Sequence, residues 1–205
     1  MSLNAHHYLG GSVGTNAYLL ETDEGSLLID APAGVAEWVK DQGKTVDVLF
    51  LTHQHFDHVE GVAGLVEAFG CKVLAWSEPS ETLIRQEVAR SMGLPVVVPE
   101  YQVDQFLGDA EEVELIGLKL LVRHLPGHST DSVVAYCEDE SFVASGDTLM
   151  AQSMGRTDLP GGDHELLLSG IREHLYGLPD DTAVLPGHGP VTTIGDEKRT
   201  NPFVR

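Results

Sequence analysis

VDVLFLTHQHFDHVEG, residues 46–61, decides how the rest of the chain is read. The apolar, β-branched run as far as Thr52 reads as a buried strand, and helical spacing takes over near Val59. Between the two, His53, His55, Asp57 and His58 crowd into one strand-to-helix turn, where a layered sheet gathers its functional side chains. Imidazole nitrogen and carboxylate oxygen together suit a borderline divalent cation, zinc first.

Runs of the same kind recur outward in both directions. Residues 16–22, 26–31, 72–76, 94–99, 118–126, 132–138, 141–145 and 182–187 predict further strands. Helical spacing predicts helices over 34–42, 59–69, 78–92 and 163–175, with Asp163 capping the last. The mixture implies a layered α/β fold. There is no low-complexity linker, so a single domain over residues 1–205 is expected, with the acidic stretch DAEEVE (109–114) as a solvated turn.

Composition narrows the partners. Lys and Arg number 12 against 32 Asp and Glu, a formal net charge of −20, which repels phosphate backbones and anionic lipid. No nucleic-acid or membrane partner is expected. No apolar run approaches the roughly 20 residues that span a bilayer, and residues 1–14 lack the basic start and apolar stretch of a signal peptide. A cytoplasmic protein is expected, with its oligomeric state left open. Cys71 and Cys137 each sit in an apolar stretch and read as buried small side chains rather than a disulfide.

Three further positions repeat the theme of the first turn at the ends of predicted strands: His128 in LPGHST, Asp147 in SGDTLM and His188 in LPGHGP. Each stands beside a glycine that lets the backbone turn sharply. The five histidines and two aspartates exceed what one tetrahedral ion takes, so two metal ions sharing a carboxylate bridge are the natural solution. That arrangement is a binuclear hydrolase site. No G-x-S-x-G elbow offers a serine nucleophile in its place.

HQHFDH, PGHST, GDT and PGHGP, in this order, resemble the metallo-β-lactamase superfamily. The resemblance implies a four-layer αββα sandwich and a ligand set of His53, His55 and His128 on one metal, Asp57, His58 and His188 on the other, and Asp147 between them. It further implies that Asp57 orients the attacking hydroxide or accepts its proton, and that Asp30, in LIDAP, supports the metal loop. Zinc is expected, with iron or manganese as alternatives. The commonest dizinc β-lactamases have cysteine at the position of Asp147, and flavodiiron oxygen reductases have glutamate at that of His55, so this chain departs from both.

The stretches MGRTDLPGGDHELLLSGI (154–171), LPDDTAVLPGHGPVTT (178–193) and EKRTNPF (197–203) are similar to the short bacterial glyoxalase II group. This implies hydrolysis of an anionic small-molecule thioester, S-D-lactoylglutathione or a related hydroxyacylglutathione. Arg156, Lys198 and Arg199 become candidate contacts for its carboxylates. The helical domain that follows the last histidine in full-length glyoxalase II is not expected between His188 and Arg205. Rival readings are a persulfide dioxygenase with one iron on His53, His128 and Asp147, a lactonase, and a non-catalytic metal-binding protein.

Overall fold

A computed structural model describes residues 2–204. They form two compact units, one running as far as Leu107 and including 115–117, the other holding 108–114 and the chain from Leu118 onward.

The first unit is built on a six-stranded sheet in sequence order. Its elements are β1 (Asn4–Gly10), β2 (Thr15–Thr22), β3 (Gly25–Ile29), α1 (Val35–Asp41), β4 (Val48–Phe50), α2 (Phe56–Val59), α3 (Val62–Phe69), β5 (Lys72–Ala75), α4 (Glu81–Ile84), α5 (Gln86–Ser91) and β6 (Gln105–Phe106). β1 to β3 form an antiparallel meander, and β3 to β6 are parallel. Parallel neighbours need a crossover, which α1 supplies between β3 and β4 and α3 between β4 and β5. Leu49 and Leu51 pack with Leu19, Leu28 and Val73 beneath Val35 and Val39 of α1 and Val62 and Leu65 of α3. Burying each such side chain contributes roughly 1.5–3 kcal/mol before the cost of ordering it.

Three expectations for this unit are corrected. Residues 94–99 form no strand, because Pro95 and Pro99 bracket the run and neither can donate to a ladder. The helix expected over 78–92 is two short helices, broken where Arg85 takes a left-handed φ of 56°. The helix expected over 59–69 starts earlier, at Phe56, and is interrupted before Val62. Gly61 at that break lies so close to Pro32 that a Cβ would come within 2.7 Å of its carbonyl oxygen. As a result Asp57 and His58 ride on a helix rather than in a loop.

The second unit has β7 (Glu112–Leu115), β8 (Leu118–His124), β9 (Val133–Cys137), β10 (Phe142–Gly146), β11 (Leu149–Met150), β12 (Ser153–Met154), α6 (His164–Gly170), β13 (Ala183–Pro186), β14 (Thr192–Thr193) and α7 (Ile194–Thr200). Its main sheet runs β14-β13-β10-β9-β8-β7, and β10 and β13 are parallel. Asp163 caps α6 as expected, its carboxylate accepting the N–H of Leu166 at 3.0 Å. The helix continues into a π turn over Ile171–Leu175, and Leu167, Ile171 and Leu175 pack on Val134, Val143 and Val184. β7 begins inside the acidic stretch read as a turn; Val113 is buried between exposed glutamates, the period of two that a strand requires.

Cys71 and Cys137 are buried free thiols. Among the described residues no helix is long and apolar enough to cross a membrane.

Candidate metal centre

In the first unit the ligand loop hangs from the carboxyl end of β4, and Asp30 follows the neighbouring parallel strand β3 directly. The register that pairs Ile29 with Phe50 brings Asp30 level with Thr52. Its carboxylate accepts the Thr52 backbone N–H at 2.8 Å, the Thr52 hydroxyl at 2.8 Å and His58 Nδ1 at 2.8 Å. A carboxylate only accepts, so the His58 proton sits on Nδ1 and Nε2 presents its lone pair. Asp30 holds this position at φ 60°, a left-handed conformation that aspartate tolerates better than most residues.

His53 Nε2 and His55 Nδ1 lie 3.1 Å apart, and His58 Nε2 lies 3.5 Å from Asp57 Oδ2. Two donors about 2.0–2.2 Å from one tetrahedral ion stand about 3.3–3.6 Å from each other, so the His58–Asp57 spacing fits shared coordination and the His53–His55 spacing is slightly tighter. All four side chains are buried. Thr15, the first residue of β2, donates its hydroxyl to Asp57 Oδ2 at 2.7 Å. Glu60, one turn further on, has its carboxyl pushed up by burial and by the Asp57 charge, against the backbone N–H groups of Ala33 and Ser12 that favour the ionised form.

In the second unit Asp147 and His188 follow the carboxyl ends of the parallel pair β10 and β13, which are joined there by Gly187 N–H to Gly146 O at 2.8 Å. His128 lies on the loop from β8 to β9. Gly127, at φ 130°, takes that loop past α6 so closely that a Cβ would meet the Leu167 backbone nitrogen at 2.6 Å. Asp147 Oδ2 is 3.5 Å from His128 Nε2 and also 3.5 Å from His188 Nε2. One oxygen equidistant from two imidazole nitrogens suits a bridging carboxylate. His128 Nδ1 donates to the backbone carbonyl of Arg156 at 2.9 Å, which again turns Nε2 toward the donor set.

The seven donors expected from sequence thus fall into His53, His55, Asp57 and His58 in one unit and His128, Asp147 and His188 in the other, and in each set one histidine, His58 or His128, has its tautomer fixed by a hydrogen bond. The three candidate substrate contacts are exposed and engaged elsewhere. Arg156 makes a two-pronged pair with Asp158, 2.8 Å at each prong, which holds the Asp158 carboxyl down at about 2. Lys198 meets Asp180 at 2.7 Å, and Arg199 meets Asp196 at 2.8 Å. Residues absent from the sequence reading are Thr15, Thr52 and Gly155, the last packed so closely that a Cβ would meet His128 Nδ1 at 2.7 Å. Thr52 stood next to the motif and could have been found there; Thr15 lies far upstream with nothing local to mark it.

This geometry belongs to a known class. The chain belongs to the metallo-β-lactamase superfamily, whose family model matches residues 10–188. It is similar to the hydroxyacylglutathione hydrolase GloC of Haemophilus influenzae, at 39% identity over 92% of each chain. Among solved structures it is similar to the B3 metallo-β-lactamase BLEG-1, with a TM-score of 0.86 and 36% identity over 98% of this chain and 99% of that one. It is also similar to TTHA1623 in a di-iron-bound form, with a TM-score of 0.84 and 39% identity over 97% and 99%. The fold is therefore the metallo-β-lactamase fold expected from the motifs.

Proposed function

We propose that this protein is a binuclear metal-dependent thioester hydrolase acting on S-D-lactoylglutathione or a related hydroxyacylglutathione. The observation that supports this most is the 39% identity to a hydroxyacylglutathione hydrolase across nine-tenths of both chains. In this reading His53, His55 and His128 hold one ion, Asp57, His58 and His188 hold the second, and Asp147 is shared. Zinc is the first choice, iron the second, the latter supported by the di-iron-bound neighbour.

When bound, the ions supply Lewis acidity that lowers the pKa of a water and polarises the thioester carbonyl. Asp57 orients that water and takes its proton, with its own carboxylate steadied by Thr15. Asp30 and the carbonyl of Arg156 keep His58 and His128 in the ligating tautomer. Two carboxylates against two divalent ions leave the site locally positive, which suits an anionic substrate on a chain of net charge −20. Arg156, Lys198 and Arg199 receive its carboxylates by exchanging their present acidic partners.

The test is anaerobic release of free thiol from S-D-lactoylglutathione, with metal counted by plasma emission on the same sample. Thiol release with about two ions per chain is the expected result. Oxygen uptake with glutathione persulfide, a single iron per chain and no thiol release would put the dioxygenase reading in its place.

A further inference from the structure

We infer that Thr15 is a positioning residue for Asp57: its hydroxyl fixes which carboxylate oxygen Asp57 offers to a metal ion. The inference rests on the reading of Asp57 as a ligand. Thr15 is fully buried, and its backbone is held in the β1–β2 ladder opposite Gly10. A β-branched side chain in a fixed strand has little freedom about χ1, so the hydroxyl is a rigid donor. Asp57 has the opposite character, because the terminal torsion of an aspartate is broad and nearly two-fold, and rotation about it exchanges the two oxygens.

The contact removes that freedom. Thr15 Oγ1 donates to Asp57 Oδ2 at 2.7 Å, and the same oxygen stands 3.5 Å from His58 Nε2. Deleting the Thr15 hydroxyl removes the donor that β2 aims at Oδ2, the oxygen beside His58 Nε2. The first residue of β2 is therefore a rigid donor for the metal turn, and the bond spans 42 positions of sequence.

Thr15→Val keeps the shape of the side chain and deletes the donor, whereas Thr15→Ser keeps the donor and deletes the methyl group. Zn²⁺ affinity is measured on stripped protein by titration against a chromogenic chelator, with far-UV circular dichroism as the check on folding. Thr15→Val should weaken one of the two ions about 10- to 100-fold and leave the other unchanged, as removal of an outer hydrogen bond to a ligand does. Thr15→Ser should stay within about threefold of the parent. Parent-like affinity in Thr15→Val, or equal damage in Thr15→Ser, would overturn the inference. Asp57→Asn is titrated alongside: if it too keeps both ions, the ligand reading itself has failed, and if it alone loses one, only the role of Thr15 has.

Discussion

His128 Nδ1 and the backbone carbonyl of Arg156 are joined by a hydrogen bond of 2.9 Å, while the Arg156 guanidinium turns outward to Asp158. One residue thus offers a main-chain group inward and a side chain to solvent, and the two can be separated by mutation. Arg156→Ala should leave the metal content unchanged, because the carbonyl stays. It should raise KM for S-D-lactoylglutathione more than it lowers kcat, by up to about tenfold, since an exposed contact gives less than a buried charge-assisted bond. An uncharged thioester should be hydrolysed as before. Asp158 is held down at about 2, so its ionised competition for Arg156 is complete at neutral pH and is lost only as the pH falls through that low value. KM should accordingly show no inflection from this pair between about pH 5 and 8. Loss of metal in Arg156→Ala would contradict the division of roles.

Gly155→Ala should do what Arg156→Ala does not. A Cβ at position 155 would lie 2.1 Å from the Asp147 carbonyl oxygen and 2.7 Å from His128 Nδ1. Neither group can yield without moving a proposed ligand, so this single methyl should abolish tight binding of at least one ion and lower Tm. Emission spectroscopy and a thermal melt on the same preparation check both.

Asp147→Ala removes the carboxylate oxygen that stands 3.5 Å from both His128 Nε2 and His188 Nε2. It should reduce the metal count from about two to one or fewer and eliminate nearly all hydrolysis. His188→Ala should weaken one ion only. Metal counts that are equal in the two variants and in the parent would refute the shared role of Asp147.

Asp30→Ala should destabilise the fold even without metal. It strands the Thr52 N–H and His58 Nδ1, both within buried structure, and puts alanine at a φ of 60°. One stranded buried donor costs about 1–3 kcal/mol, so a loss of at least about 2 kcal/mol in urea unfolding is expected. Asp30→Asn, which tolerates the left-handed backbone and keeps one acceptor, should lose less.

The sequence was most legible where pattern and chemistry coincide. The strand leading to Thr52, the glycine-flanked turns at His128 and His188 and the cap at Asp163 could be read because each depends on neighbours within a few residues. β1 escaped because NAHHYLG is an exposed edge strand without an apolar face, and α7 because its short helix carries mostly polar residues. Likewise, the apolar 94–99 was misleading, since prolines veto a ladder that hydrophobicity alone invites. The supports of the candidate centre are hidden for a different reason. Thr15 to Asp57, Asp30 to His58 and His128 to the Arg156 carbonyl are bonds between distant segments, and one partner in the last is a main-chain atom that no residue identity announces.

Asp30 and the Arg156 carbonyl orient His58 and His128 through hydrogen bonds that need no ion. Their orientation draws on protein acceptors, unlike that of a zinc finger's ligands, whose chain collapses only around its metal. Two of the proposed ligands are thus already aimed by the protein's own polar groups, and a metal ion would meet them without the cost of fixing their rings. A donor set of imidazole nitrogen and carboxylate oxygen, oriented before any ion arrives, discriminates weakly among borderline divalent cations, so metal availability weighs heavily in which one it would hold.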